Sequence, residues 1–216
     1  MTGELPSRTV SSKLVVVARA SAASDYAPVL ASLAEAGVQS VELTLTTPGT
    51  FDAFADLRAS FDGDLGIGTV TNLDQLERAI AVGADYVVTP ITSTALVERA
   101  VAAGMPIIPG GLTPTELFAS WSAGASAVKV FPAGQVGPGY LKDLRGPFPD
   151  IAIVPSGGVD ADSAAAWLAA GAVAVSVGGP LLGDAFRGGD LGALRERAER
   201  FVAVCAGSDL LAGRSA

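Results

Sequence analysis

The stretch "SVELTLT", Ser40 to Thr46, alternates polar and apolar residues without a break. Strand side chains point to opposite faces in turn, so Ser40, Glu42, Thr44 and Thr46 share one face and Val41, Leu43 and Leu45 the other. Such a strand has two homes. It can lie at a sheet edge with its polar face in solvent, or in a curled sheet whose apolar face meets helices and whose polar face looks inward.

The rest of the chain decides between them. Seven further β-rich runs follow the same rhythm: "LVVVARA" from Leu14, "LGIGTV" from Leu65, "YVVTP" from Tyr86, "PIIPGG" from Pro106, "AVKVFP" from Ala127, "IAIVPSGG" from Ile151 and "VAVSVGG" from Val173. Helical patterns lie between them. The clearest helix start is Thr113-Pro114-Thr115-Glu116, a capping box with proline at the first helical position. A short motif, "EAGV" at Gly37, "AVGA" at Gly83, "AAGM" at Gly104, "SAGA" at Gly124 and "AAGA" at Gly171, places a glycine after each alanine-rich pattern, where a helix ends in a left-handed residue. Its intervals of 46, 21, 20 and 47 residues read as one or two copies of a strand-plus-helix unit. Eight such units predict an α/β fold, a single (β/α)8 TIM barrel rather than an open doubly wound sheet. The polar face of Ser40 to Thr46 then looks into the lumen.

A chain of 216 residues fits one barrel domain over 1–216, with 1–13 a polar lead-in. Half of the residues are hydrophobic, enough for a sizeable core. The net charge of −8 repels nucleic acid and anionic membrane surfaces, so neither is expected as a partner. No apolar stretch approaches the roughly 18 residues of a membrane span, and "MTGELPSRTVSSK" lacks the features of a signal peptide. A single cysteine, Cys205, forms no internal disulfide and fits a reducing compartment, so the expected location is the cytoplasm. Cys205 continues a helical apolar pattern with Leu191, Leu194, Ala198, Phe201 and Val202, which reads as a core thiol. Histidine is absent, which removes Ser-His and Cys-His nucleophile pairs and the usual zinc triads. Catalysis here must run on carboxylate, lysine, hydroxyl and backbone groups.

Within "ASAVKVFPAG", Ala125 to Gly134, a lysine sits among small and apolar residues. Lys129 shares a face with Ala127 and Phe131, and Val128 and Val130 take the other. If the valines pack beneath helices, Lys129 points inward. The second and sixth strands are opposed in a ring of eight, about 15 Å apart between backbones, a gap that a lysine and a glutamate together nearly span. Lys129 and Glu42 then meet directly or through one water. An enclosed lysine sheds its proton more readily, and the neutral amine attacks carbonyl carbon; the resulting iminium is an electron sink for carbon–carbon cleavage. Glu42 would shuttle protons. "PSGGV", Pro155 to Val159, closes the seventh run and "VGG", Val177 to Gly179, the eighth, the two loops that form the usual phosphate site of such barrels. Tight turns chosen for geometry alone are the other reading. Arg19, on the face of Val15 and Val17, ends the first run; it clamps a substrate carboxylate or forms a salt bridge at the mouth.

The segments "VELTLTTP", "GIGTVTN", "VVTP", "IPGGLTPTEL", "AVKVFPAGQVGPGYLKDLRGPFP" and "VPSGGV" resemble the 2-keto-3-deoxy-6-phosphogluconate (KDPG) and 4-hydroxy-2-oxoglutarate (KHG) aldolases, from about Leu14 to about Val204. These are class I, Schiff-base enzymes on a (β/α)8 barrel. The resemblance implies that Lys129 is the Schiff-base lysine, Glu42 the proton shuttle, and that Thr69, Pro90 and Phe131 line the pyruvate end. Ser156, Gly157, Gly158, Gly178 and Gly179 would hold phosphate, and Thr46 and Ser156 contact the substrate near C4. It also implies a homotrimer, no metal and no cofactor, a phosphorylated keto-acid substrate and a place in Entner–Doudoroff carbohydrate metabolism. Two positions depart from the family pattern: Thr46 stands where many members carry a carboxylate-binding arginine, a role that falls here to Arg19, and Pro180 stands where many carry a phosphate-binding serine. The expected reaction is cleavage of KDPG to pyruvate and glyceraldehyde 3-phosphate. The galactonate epimer and 4-hydroxy-2-oxoglutarate are alternative substrates. A sugar-phosphate isomerase or epimerase using Glu42 as base, and a non-catalytic barrel that binds a phosphorylated metabolite, are alternative functions.

Overall fold

The computed structural model describes residues 4–212, and side chains as far as residue 207. Nine parallel strand pieces run through it: β1 Leu14–Ala18, β2 Ser40–Thr44, β3 Asp64–Gly68, β4 Val87–Val88, β5 Ile107–Ile108, β6 Gly110–Gly111, β7 Val128–Val130, β8 Ile153–Pro155 and β9 Val175–Val177. The helices are α1 Ser7–Ser12, α2 Tyr26–Glu35, α3 Thr50–Ser60, α4 Leu73–Ala81, α5 Thr94–Ala102, α6 Pro114–Ser122, α7 Gly139–Arg145, α8 Ala161–Ala169, α9 Gly179–Leu182 and α10 Leu191–Ala212. The expected strand–helix alternation is present. The fifth expected run is split at Pro109 into β5 and β6, because proline has no N–H for a ladder.

The result is an α/β fold with a curled parallel sheet. One six-stranded sheet has the order β5-β4-β3-β2-β1-β9, and a three-stranded sheet the order β6-β7-β8. A single closed barrel ladder was expected; the strand pairing instead divides in two, at the proline break and between β8 and β9. Hydrogen bonds still cross both places. The Lys129 N–H donates to the Pro109 carbonyl at 2.8 Å, the Val173 N–H to the Ile153 carbonyl at 3.0 Å, and Ser156 and Ser176 form an isolated parallel bridge.

Alternation along the strands sorts side chains into two separate cores. Leu14, Val16, Val41, Leu43, Leu65, Ile67, Val128, Val130, Ile153, Val175 and Val177 face the helices and pack with Tyr26, Phe54 and Trp167. Val15, Tyr86, Val88, Ile108, Ala127, Val154 and Ala174 form a smaller cluster on the concave side. The period-2 pattern thus decides which residues reach the interior of the curl.

Helix ends follow the local signals. The glycines at 37, 83, 104, 124 and 171 all have positive φ, between 69° and 103°, and each follows a helix. Thr113 and Glu116 form the expected capping box, and α10 buries Leu194, Ala198, Phe201 and Cys205. Burial pushes the Cys205 thiol up to about 12, so it stays protonated as the core reading requires. The polar lead-in contributes a short helix, α1. It is held by Asp64, whose carboxylate accepts from the Thr9 N–H at 2.7 Å and the Thr9 hydroxyl at 2.8 Å.

Candidate active site

The C-terminal ends of the strands converge on a cavity of about 380 Å³. Its wall includes Arg19 after β1, Glu42 on β2, Thr69 after β3, Pro90 after β4, Lys129 on β7, Phe131 after it, Ser156 to Gly158 after β8, and Gly178 and Gly179 after β9. Twelve positions were singled out from sequence, and this cavity gathers all of them but Thr46. β2 ends at Thr44, where the Thr47 N–H donates to the Thr44 carbonyl at 3.1 Å and turns the chain. Thr46 lies exposed beyond that turn, its hydroxyl 3.0 Å from that of Thr44.

Lys129 is 7% exposed, and the flanking Val128 and Val130 are fully buried under the helices. Its Nζ lies 5.2 Å from the centre of the Phe131 ring, a cation–π distance, and no described carboxylate lies within the 4.0 Å of an ion pair. Lys129 and Glu42 therefore share the cavity without a direct salt bridge, a separation that suits transfer through a bridging group.

Glu42 is 1% exposed, and its Oε2 is fully buried without a hydrogen-bond partner in the protein. Its carboxylate lies across Gly68 of β3, where a β-carbon would overlap it. A buried polar atom left unpaired costs about 1–3 kcal/mol, so its retention beside a cavity marks a group whose partner arrives with a ligand.

The rest of the wall is similarly specialised. Thr69 has φ 63°, a left-handed conformation that costs a β-branched residue about 1–2 kcal/mol and places strain at the site. Gly157 and Gly158 have φ 82° and 78°, and their turn docks on the chain after β7. There the Ala133 N–H donates to the Ser156 carbonyl at 2.7 Å and the Gly134 N–H to the Gly157 carbonyl at 2.8 Å. A β-carbon at 157 would come within 3.0 Å of the Phe131 ring, so the glycine turn and the ring beside Lys129 fit together. The Ser156 hydroxyl donates to that of Ser176 at 3.2 Å. Arg19 is exposed and forms none of the ion pairs among the described residues, which disposes of the salt-bridge reading. No cluster of three or more metal-ligating side chains occurs among the described residues.

The chain matches the family of KDPG and KHG aldolases over residues 6–195. It belongs to that family. It is 31% identical over 212 residues to a probable 2-dehydro-3-deoxy-6-phosphogalactonate aldolase of Rhizobium meliloti, covering 97% of each chain. A 2-dehydro-3-deoxy-phosphogluconate aldolase of Pseudoalteromonas atlantica is 32% identical over 183 residues, covering 83% of this chain and 85% of the relative. Among solved structures, one titled "Native KDPGal structure" superposes with a TM-score of 0.80 at 29% identity, covering 92% of this chain and 96% of that one. The chain is thus an aldolase, a lyase of the class I group, and the cavity at its strand ends is its candidate active site.

Sequence reasoning missed part of the wall. Val17, Leu182, Gly183, Phe186 and Arg187 also line the cavity, the last four from the end of α9 and the short 3-10 turn Ala185–Arg187 that follows it. Only Val17 carried a signal, its place on the face of Val15 and Arg19.

Proposed function

We propose that the protein cleaves 2-keto-3-deoxy-6-phosphogluconate to pyruvate and glyceraldehyde 3-phosphate through a Schiff base on Lys129. One observation carries this reading: a buried lysine and a buried, unpartnered carboxylate line the same cavity without pairing with each other. A structural ion pair would have them in contact.

In this reading Lys129 Nζ attacks the C2 ketone, and loss of water gives an iminium that draws electrons from the C3–C4 bond. Glu42, through water, accepts the C4 hydroxyl proton as that bond breaks and the aldehyde leaves. The enamine is reprotonated at C3 with help from Glu42, and hydrolysis of the imine releases pyruvate and frees the lysine. Arg19 and Thr69 orient the substrate carboxylate, and Pro90 and the Phe131 ring close the pyruvate end. Backbone N–H groups of Gly157, Gly158, Gly178 and Gly179, with Ser156, receive the phosphate.

The galactonate epimer is a second reading, favoured by the printed name of the relative that matches 97% of the chain. The two sheets would close as one eight-stranded barrel, an arrangement supported by the hydrogen bonds across both breaks. A cytoplasmic homotrimer acting in Entner–Doudoroff metabolism completes the proposal. The exposed Phe118, stacked on Phe148 at 4.5 Å, is a candidate for its subunit contact, and light scattering measures the assembly.

The functional test is pyruvate release from each epimer by the wild type and by Lys129→Arg. The aldolase reading expects release from one epimer at a rate at least tenfold above the other, and a loss of about 10³-fold or more in the variant. Substantial activity in Lys129→Arg would favour an isomerase working through Glu42 alone.

A further inference from the structure

The arginines of the described chain divide by their partners. Arg8, Arg58, Arg99, Arg195, Arg197 and Arg200 each face a carboxylate. Arg78 sits over the Phe51 ring at 4.1 Å, and Arg145 donates to the Gly171 carbonyl at 2.7 Å. Two remain, Arg19 and Arg187, and both line the cavity. In a chain of net charge −8, leaving these two guanidinium groups without carboxylates concentrates positive charge where an anionic substrate binds.

Arg187 stands on the segment that continues from the Gly178-Gly179 turn, and Pro180, Leu182, Gly183 and Phe186 of that segment share its wall. Among the described residues the only hydrogen bond of its side chain is a long one, Nη2 to the Gly183 carbonyl at 3.3 Å. The backbone beneath it is held firmly. Arg197 of α10 donates to the carbonyls of Leu181 at 2.8 Å and Leu182 at 3.1 Å. The Phe186 ring meets the buried Tyr26 edge-on at 5.8 Å, and the Arg187 N–H closes a turn onto the Asp184 carbonyl at 2.7 Å. An exposed side chain with uncommitted donors on a pinned backbone suits a ligand better than a structural role.

We propose that Arg187 is the cation that binds the terminal phosphate of the substrate and sets the preference for phosphorylated acids. It takes over where Pro180 offers neither hydroxyl nor N–H to the same group. This rests on the aldolase reading above and adds a specificity residue to it.

The test compares kcat/KM for the phosphorylated acid with that for its unphosphorylated counterpart. Arg187→Ala is expected to lower the ratio by about tenfold to a hundredfold, mainly through KM for the phosphorylated acid. Arg187→Lys, which keeps the charge and loses the fork, is expected to fall between the two. A merely structural role would lower both substrates alike, and that outcome, like an unchanged ratio, overturns the proposal. Borohydride trapping with pyruvate involves no phosphate and reports on Lys129 separately. An unchanged ratio in Arg187→Ala with Lys129 labelled rejects the role of Arg187 and leaves the aldolase reading standing; a wild type that leaves Lys129 unlabelled overturns both.

Discussion

Two levels of the concave interior, built by the same strands, are finished in opposite ways. At the N-terminal level, the Tyr86 hydroxyl lies 3.0 Å from that of Ser40, Ser40 lies 2.8 Å from the Thr9 hydroxyl, and Asp64 accepts from Thr9. Apolar side chains of the inner cluster pack around them. At the C-terminal level, Glu42 keeps a buried oxygen without a partner, Lys129 lacks a carboxylate, two arginines stand unpaired and Thr69 holds a strained backbone. Ser40 and Glu42 are two residues apart on one face of β2. The difference is that between a plug optimised for stability and a site that leaves polar groups uncommitted for a ligand.

That contrast can be broken by mutation at either level. The largest effect is expected for Glu42→Gln, which removes the proposed proton shuttle: kcat falls about 10²–10⁴-fold, and the melting temperature stays close to that of the wild type, since the Glu42 Oε2 has no hydrogen-bond partner in the protein to lose. A drop in melting temperature with activity kept would place Glu42 in the structural plug instead. Next comes Gly68→Ala, whose β-carbon would overlap the Glu42 carboxylate. Displacement of Glu42 is expected to cost about tenfold to a hundredfold in activity and about 1–3 kcal/mol in stability, read by steady-state kinetics and denaturant melts.

At the other level, Tyr86→Phe is expected to lose about 0.5–1.5 kcal/mol of stability. Burial holds the Tyr86 hydroxyl well above its ordinary pKa, with the Glu42, Asp64 and Asp85 carboxylates adding to the rise and the Ser40 hydrogen bond opposing it. It therefore stays a neutral phenol throughout the working range, and the activity of Tyr86→Phe should stay within about threefold of wild type.

The smallest effect lies outside both levels. Glu116 is held below its usual value of 4.5 by the Thr113 N–H, the Thr113 hydroxyl and the Leu112 N–H. Its folded pKa is depressed, so its contribution is present in full above the unfolded value and is lost as pH falls through the folded one. Thr113→Ala should cost about 1 kcal/mol near neutral pH and less in acid. An equal cost at both would separate the cap from the carboxylate.

Periodicity made much of this legible. Lys129 could be placed inside because Val128 and Val130 could only be placed outside, and the five helix-ending glycines marked where units turn. The break at Pro109 was harder to see, since "PIIPGG" reads as one extended run until the missing N–H divides its ladder. Thr46 followed the alternation of β2 past the point where the Thr47 turn ends it. Arg187 carried no signal, because a three-residue 3-10 turn is too short to show a period and the role proposed for it rests on partners its side chain lacks. The short helix at Ser7–Ser12 likewise owes its place to Asp64, a residue far along the chain, rather than to its own composition.

The central claim is that Lys129 forms a covalent bond with a keto acid while sheltered at the open level of the interior. Incubation with pyruvate and borohydride, followed by peptide mass mapping, measures this bond directly. A single stable adduct on Lys129, missing from Lys13 and Lys142, is the predicted result; an unlabelled Lys129 under conditions where the enzyme turns over would contradict the account.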